Sequence, residues 1–167
     1  QYAAYLENRY PEHEWSTLQI ASRIALLEMD GKKLDETLDA VRGADLILWA
    51  FPLYFMTVCS QYKRFIELVE ERGAQTAFAG KYAASLSTSI HFYDHTAHVY
   101  IREISEDWGM PFVSFFSAEM NDLTRPRGRA QLDAFAVDLF SVVSGALPCP
   151  RRGDAALPEA ARAHPAH

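Results

Sequence analysis

Asp45-Leu-Ile-Leu-Trp-Ala-Phe51-Pro52-Leu53-Tyr54-Phe55-Met56-Thr57-Val58-Cys59-Ser60-Gln-Tyr-Lys-Arg-Phe-Ile-Glu-Leu68 contains a strand, a loop and a helix in succession. Asp45 to Phe51 is an apolar run without alternation, the pattern of a strand covered on both faces in a parallel sheet. Pro52 has no N–H to give a ladder and restricts Phe51 before it, so the strand stops there. After the loop, Tyr62, Phe65, Ile66 and Val69 recur at i, i+3, i+4 and i+7. Gln61, Lys63, Arg64, Glu67, Glu70 and Glu71 occupy the other side, which predicts a helix packed on a sheet.

Working outward, helix and strand patterns alternate, which points to an α/β fold with a parallel sheet and helices on both faces. The expected elements are a helix over residues 1–10, a strand from Trp15 to Ala21, helical segments from Ser22 to Arg42, and the Asp45–Phe51 strand. A helix from Ser60 to Arg72, a strand from Tyr82 to Ser89, a helix from Asp94 to Trp108 and a strand from Phe112 to Ala118 follow. The last helix, Arg129 to Val143, has Leu132, Phe135, Ala136, Leu139, Phe140 and Val143 on one face. Four strands are expected in all. From Leu147 to His167 the chain turns to Pro, Ala, Arg and Gly without apolar period, so residues 1–146 are expected as one domain and 147–167 as an irregular tail.

The motifs resemble those of the flavodoxin-like NAD(P)H-dependent FMN reductases. The carriers are the apolar strand, Pro52-x-Tyr54-Phe55, the small residues after it, the Gln61-x-Lys63-x-Phe65-Ile66 helix, and Gly80-Lys-Tyr-Ala-Ala-Ser-Leu-Ser-Thr88-Ser89-Ile-His91. The resemblance covers about residues 1–145 and implies a three-layer sandwich with FMN as cofactor and NAD(P)H as cosubstrate. The acceptor would be a small molecule such as a quinone. As partners it implies a second copy or a second flavodoxin-like half, and as setting the cytoplasm. Pro52, Leu53, Tyr54, Phe55, Thr88, Ser89 and His91 are then the flavin-facing residues. The chain departs from the family at its start, where the first central strand and its Ser/Thr/Gly-rich phosphate turn are expected to precede Gln1. Loss of that turn removes much of the affinity for FMN. This leaves a rival reading as a non-catalytic half that supplies sheet and dimer surface.

The residues themselves support part of this. The Pro52–Thr57 loop lies past the carboxyl end of a strand, where open α/β sheets bind ligands, although an aromatic loop can also simply cover the sheet end. Thr88, Ser89 and His91 end the next strand and face the same crevice, with helix capping as their alternative role. His91, His95 and His98 stand at i, i+4 and i+7 on one helical face. That spacing suits zinc, but one helix rarely directs three tetrahedral ligands, so a metal-dependent enzyme using this face stands only as an alternative to the flavin reading. His98 is expected at the surface or an interface. Cys59, at a helix start, suits a reactive thiol or a buried small hydrophobe, and Cys149 lies in the tail. No residue presents itself as a catalytic acid or base.

Composition sets the outer limits. The 167 residues carry a net charge of −6, from 16 basic and 22 acidic side chains, which argues against nucleic acid as partner. No apolar run approaches the ~20 residues that cross a bilayer. Two well-separated cysteines fit a reducing compartment. Residues 1–124 hold 10 basic and 18 acidic side chains, net −8, whereas residues 125–167 hold 6 and 4, net +2. Arg125, Arg127 and Arg129 therefore form a local basic patch, either a solvated loop or a phosphate contact.

Overall fold

The computed structural model describes residues 1–53, 56–89, 94–119 and 121–152. Among these, helices α1 (Tyr2–Arg9), α2 (Ile20–Met29) and α3 (Gly31–Gly43) precede strand β1 (Leu46–Pro52). Helix α4 (Ser60–Glu71), strand β2 (Tyr82–Ser89), helix α5 (Asp94–Asp107), strand β3 (Phe112–Glu119) and helix α6 (Pro126–Ser144) complete the order. The three strands form a parallel sheet in the order β1-β2-β3. Leu46 faces Tyr82 and Pro52 faces Thr88 in register, and α4 and α5 make the crossovers.

The alternation of side chains along each strand builds two cores. On one face Trp49, Phe51, Ala83 and Phe112 pack with residues of α2, α3, α4 and α5, including Leu27, Leu38, Val69 and Ile101. On the other face Ala84, Leu86 and Ala118 meet Tyr2 and Leu6 of α1 and Leu132, Ala136 and Leu139 of α6. The result is the expected three-layer α/β sandwich with a parallel sheet between helices. In β3 a register shift lies opposite Ala83–Ser85, since Ala83 faces Phe112 and Ser85 faces Phe115. This bulge returns Phe115 and Ser117 to the face that Phe112 occupies.

The expected strand from Trp15 to Ala21 is absent. Residues 15–19 have no regular structure and α2 already begins at Ile20, so the described residues form three strands rather than four. In the flavodoxin-like order this strand pairs with the first, central one alone. Among the described residues no neighbouring strand pairs with it, and an extended segment without a ladder partner is not a strand. Trp15 packs instead on Phe140 of α6 at 6.1 Å, and its Nε1 donates to Tyr10 O at 3.0 Å.

The segment beyond α6 is irregular as far as described, yet it is held. Tyr82 Oη donates to Leu147 O at 2.9 Å. Arg151 pairs with Glu106 and Asp107, and Arg152 N donates to Glu106 Oε1 at 3.0 Å. Residues 153–167 lie outside the described residues.

Candidate functional site

Both crossover connections leave the carboxyl end of the sheet, where the ends of β1 and β2 lie side by side. Pro52 closes β1 beside Thr88, and Leu53 N donates to Thr88 O at 3.0 Å. Four predicted site residues, Pro52, Leu53, Thr88 and Ser89, are thereby brought together, with Leu53, Thr88 and Ser89 half-buried. Tyr54, Phe55 and His91 lie outside the described residues. Past them, Met56 takes a left-handed φ of 56°, and Cys59 is the residue before α4, half-buried and reduced.

Tyr62, in the first turn of α4, ties the helix to β1 by donating to Ala50 O at 2.8 Å. Burial pushes this hydroxyl up to about 12, with Cys59 adding to the shift. It therefore stays protonated and able to donate.

At the end of β3, Glu119 N donates to Asp122 Oδ2 at 2.8 Å, Tyr2 Oη donates to Glu119 O, and Arg125 meets the Glu119 carboxylate at 3.4 Å. The close turn requires Gly128 in α6, where an added Cβ would lie 2.4 Å from Asp122 O. Arg129 donates to Leu123 O at 2.8 Å. Two arginines of the basic patch thus serve the local turn, and Arg127 is exposed.

His98 overturns the expectation of a surface histidine. It is 1% exposed, stacked on Phe115 at 4.5 Å and lying 5.7 Å from Phe51. Its Nδ1 is 2.7 Å from Ser85 Oγ and its Nε2 2.9 Å from Ser87 Oγ. The cause lies in β2: Ser85 and Ser87 share the core-facing side of a strand covered on both faces, and buried hydroxyls must find partners. A histidine on the helix above serves both. Burial in turn pushes His98 down to about 4, against a smaller opposing effect of Asp94.

The network continues outward, with Ser87 Oγ 3.4 Å from Ser117 Oγ and Ser117 donating to Asp94 Oδ2. Asp94 opens α5, half-buried, and its Oδ1 accepts from His95 N at 2.9 Å. His95 is exposed, so the three-histidine face separates into one buried, one exposed and one undescribed residue. Among the described residues no group of three or more His, Cys, Asp or Glu is arranged to hold a metal ion. Sequence reasoning missed Ser85, Ser87 and Ser117. The available signal was the pair of serines two apart in an otherwise apolar strand.

No helix among the described residues is long and apolar enough to cross a membrane. A search of curated proteins finds no match to the chain. Among solved structures the chain is similar to an NADH:FMN oxidoreductase, EMOB, in its apo form. The two share 23% identity over 84% of this chain and 80% of that one, with a TM-score of 0.64. It is also similar to the Trp repressor binding protein of Bacillus subtilis, at 19% identity, 68% and 69% coverage and a TM-score of 0.48. A third similar structure is general stress protein 14 of Treponema denticola in complex with FMN, at 13% identity, 84% and 78% coverage and a TM-score of 0.46. The first likeness is one of fold, and it agrees with the parallel sheet and two-sided helical cover described above. The family of flavodoxin-like fold, Flavodoxin_2, matches residues 1–138, and the chain belongs to it.

Proposed function

We propose that this chain is the flavin domain of an FMN-dependent oxidoreductase that passes hydride equivalents from NAD(P)H to a small acceptor such as a quinone. The observation that carries the reading is the junction of Pro52–Leu53 with Thr88–Ser89, tied by the Leu53 N to Thr88 O bond at the carboxyl end of a parallel sheet. That is where open α/β sheets bind ligands. The NADH:FMN oxidoreductase of similar fold points the same way.

The ring of a flavin fits the residues present. Pro52 and Leu53 would form one side, with the small hydroxyls of Thr88 and Ser89 leaving room for a planar group and offering hydrogen bonds to its polar edge. Tyr54, Phe55 and His91 complete the proposed set. When bound, the flavin itself supplies the hydride chemistry. The ring is the part of the flavin that these residues would hold. A second copy, or a second flavodoxin-like half, is the partner in this reading, and the cytoplasm its setting.

Titration of the purified protein with FMN, followed by flavin fluorescence, tests the proposal. Binding is expected, with bleaching of the bound flavin on addition of NADH or NADPH. Tyr54→Ala should weaken binding by about 1–3 kcal/mol, the range for losing stacking on a base-like ring. No binding of FMN at any attainable concentration would favour a non-catalytic half that supplies sheet and dimer surface.

A further inference from the structure

Glu119 ends β3 in register with Ser89, the last residue of β2, so the turn from Glu119 into α6 borders the same carboxyl end of the sheet as Thr88 and Ser89. Neighbouring strands lie about 4.8 Å apart. Arg125 meets the Glu119 carboxylate at 3.4 Å, which brings its guanidinium to the strand end next to Ser89. The Arg125 and Glu119 side chains are 60% and 45% exposed, and an ion pair so open to water holds its members weakly. Arg127, two residues on, is exposed and makes no hydrogen bond or ion pair among the described residues. Arg129 is committed to Leu123 O. The turn that carries the arginines is fixed, because Asp122 lies too close to Gly128 for any Cβ and Asp122 Oδ2 accepts from Glu119 N.

We propose that Arg125 and Arg127 receive a phosphate group of a nucleotide seated at the carboxyl ends of β2 and β3. That the nucleotide is FMN or the reduced nicotinamide donor rests on the function proposed above, and a phosphate is common to both. Charge selects this chemistry. Residues 119–129 carry three basic and two acidic side chains, net +1, whereas residues 1–118 carry 10 and 16, net −6. Charges are screened beyond about 8 Å at physiological ionic strength, so an anion at this turn meets the arginines before it meets the acidic remainder. A guanidinium fork matches two phosphate oxygens at once. Because the pair with Glu119 is exposed, Arg125 turns to an incoming phosphate at little cost, and Arg127 has no such pair to give up.

ADP-ribose, which carries the phosphates of the donor without its nicotinamide, is the first probe, titrated by calorimetry into the protein with no flavin added. FMN and riboflavin, which differ by the phosphate, are the second. Arg127→Gln should weaken ADP-ribose or FMN about three- to tenfold, between the effect of an exposed ion pair and that of a hydrogen bond to a charged group. Riboflavin should bind both proteins alike, and Arg127→Lys should recover part of the loss. Arg72→Gln removes the same charge at the far end of α4 and should change nothing. A loss confined to FMN assigns the arginines to the phosphate of the flavin, and a loss confined to ADP-ribose assigns them to the donor. Equal losses in Arg127→Gln and Arg72→Gln, equal losses of FMN and riboflavin, or unchanged affinity for both phosphate-bearing probes would overturn the site, as would their failure to bind at all. If both flavins fail to bind while ADP-ribose binds and depends on Arg127, the flavin reading falls and the phosphate site stands.

Discussion

His98 shows how a single buried side chain couples the core to solution conditions. Its neutral form is the one two serines and two aromatic rings surround, and burial holds it at about 4 against 6.5 for a free histidine. Above 6.5 the folded and unfolded chains both carry a neutral imidazole, so the contribution to stability is fully present. As pH falls below 6.5 the unfolded chain binds a proton that the folded chain refuses, and the loss is complete near pH 4. Each tenfold difference in proton affinity between the two states corresponds to about 1.4 kcal/mol, so the window takes away at most about 3.5 kcal/mol. Urea unfolding of the protein and of His98→Gln at intervals between pH 7 and 4 checks this, since the difference removes the carboxylates common to both. The unsubstituted protein should lose stability relative to the variant as pH falls, and parallel curves would refute the assignment. None of this was legible around the residue itself. The spacing of His91, His95 and His98 placed His98 on a helical face but not which way the face turned, and Ser85 and Ser87 on the neighbouring strand decided it.

Elements bounded by strong local signals matched their sequence patterns. Pro52 ended β1, the i, i+3, i+4, i+7 apolar stripe gave α4, and Tyr82–Ser89 formed a strand over the expected bounds. The segment from Trp15 to Ala21 had the composition of a strand but lacked the neighbour, and a ladder is a property of two segments. The segment after α6 carried the opposite lesson. Its lack of period hid the docking of residues 147–152, because an ion pair leaves no mark in periodicity. The Glu106 side chain is 3% exposed and takes Arg152 N and the Arg151 guanidinium among its partners. Truncation after Ala146 removes both from a buried carboxylate, for which a cost of about 1–3 kcal/mol is expected. Glu106→Gln should recover part of that cost in the truncated chain, since a neutral amide tolerates burial better. Thermal or urea unfolding of the full chain, the truncation and the double variant reads the effect, and a truncation without cost would show the segment to be a passive tail.

At the scale of the whole molecule, three strands are present among the described residues, and of these β2 alone is flanked on both sides. The bonds Leu53 N to Thr88 O and Tyr82 N to Asp45 O fix which backbone groups of β1 face β2. In a parallel pair the N–H and C=O of one residue point to the same side, and residues alternate. Ile47, Trp49 and Phe51 therefore face β2, and Leu46, Leu48 and Ala50 face outward. Part of this outer edge is already managed: Ala50 O accepts from Tyr62, and Pro52, next in the outward set, has no N–H to expose. Among the described residues, the amides of Leu46, Leu48 and Ala50 are the donors that point to this edge. The expected hydrogen-exchange pattern in dilute protein is thus alternating. Ile47, Trp49 and Phe51 should exchange slowly with the amides of β2, and Leu46, Leu48 and Ala50 much faster. Raising the protein concentration tests the proposed second copy on the same amides, because pairing along this edge slows the fast set without changing the slow one. Uniform protection along β1 in a sample that sediments as a monomer would refute the edge assignment and require a further segment of the same chain to lie against it.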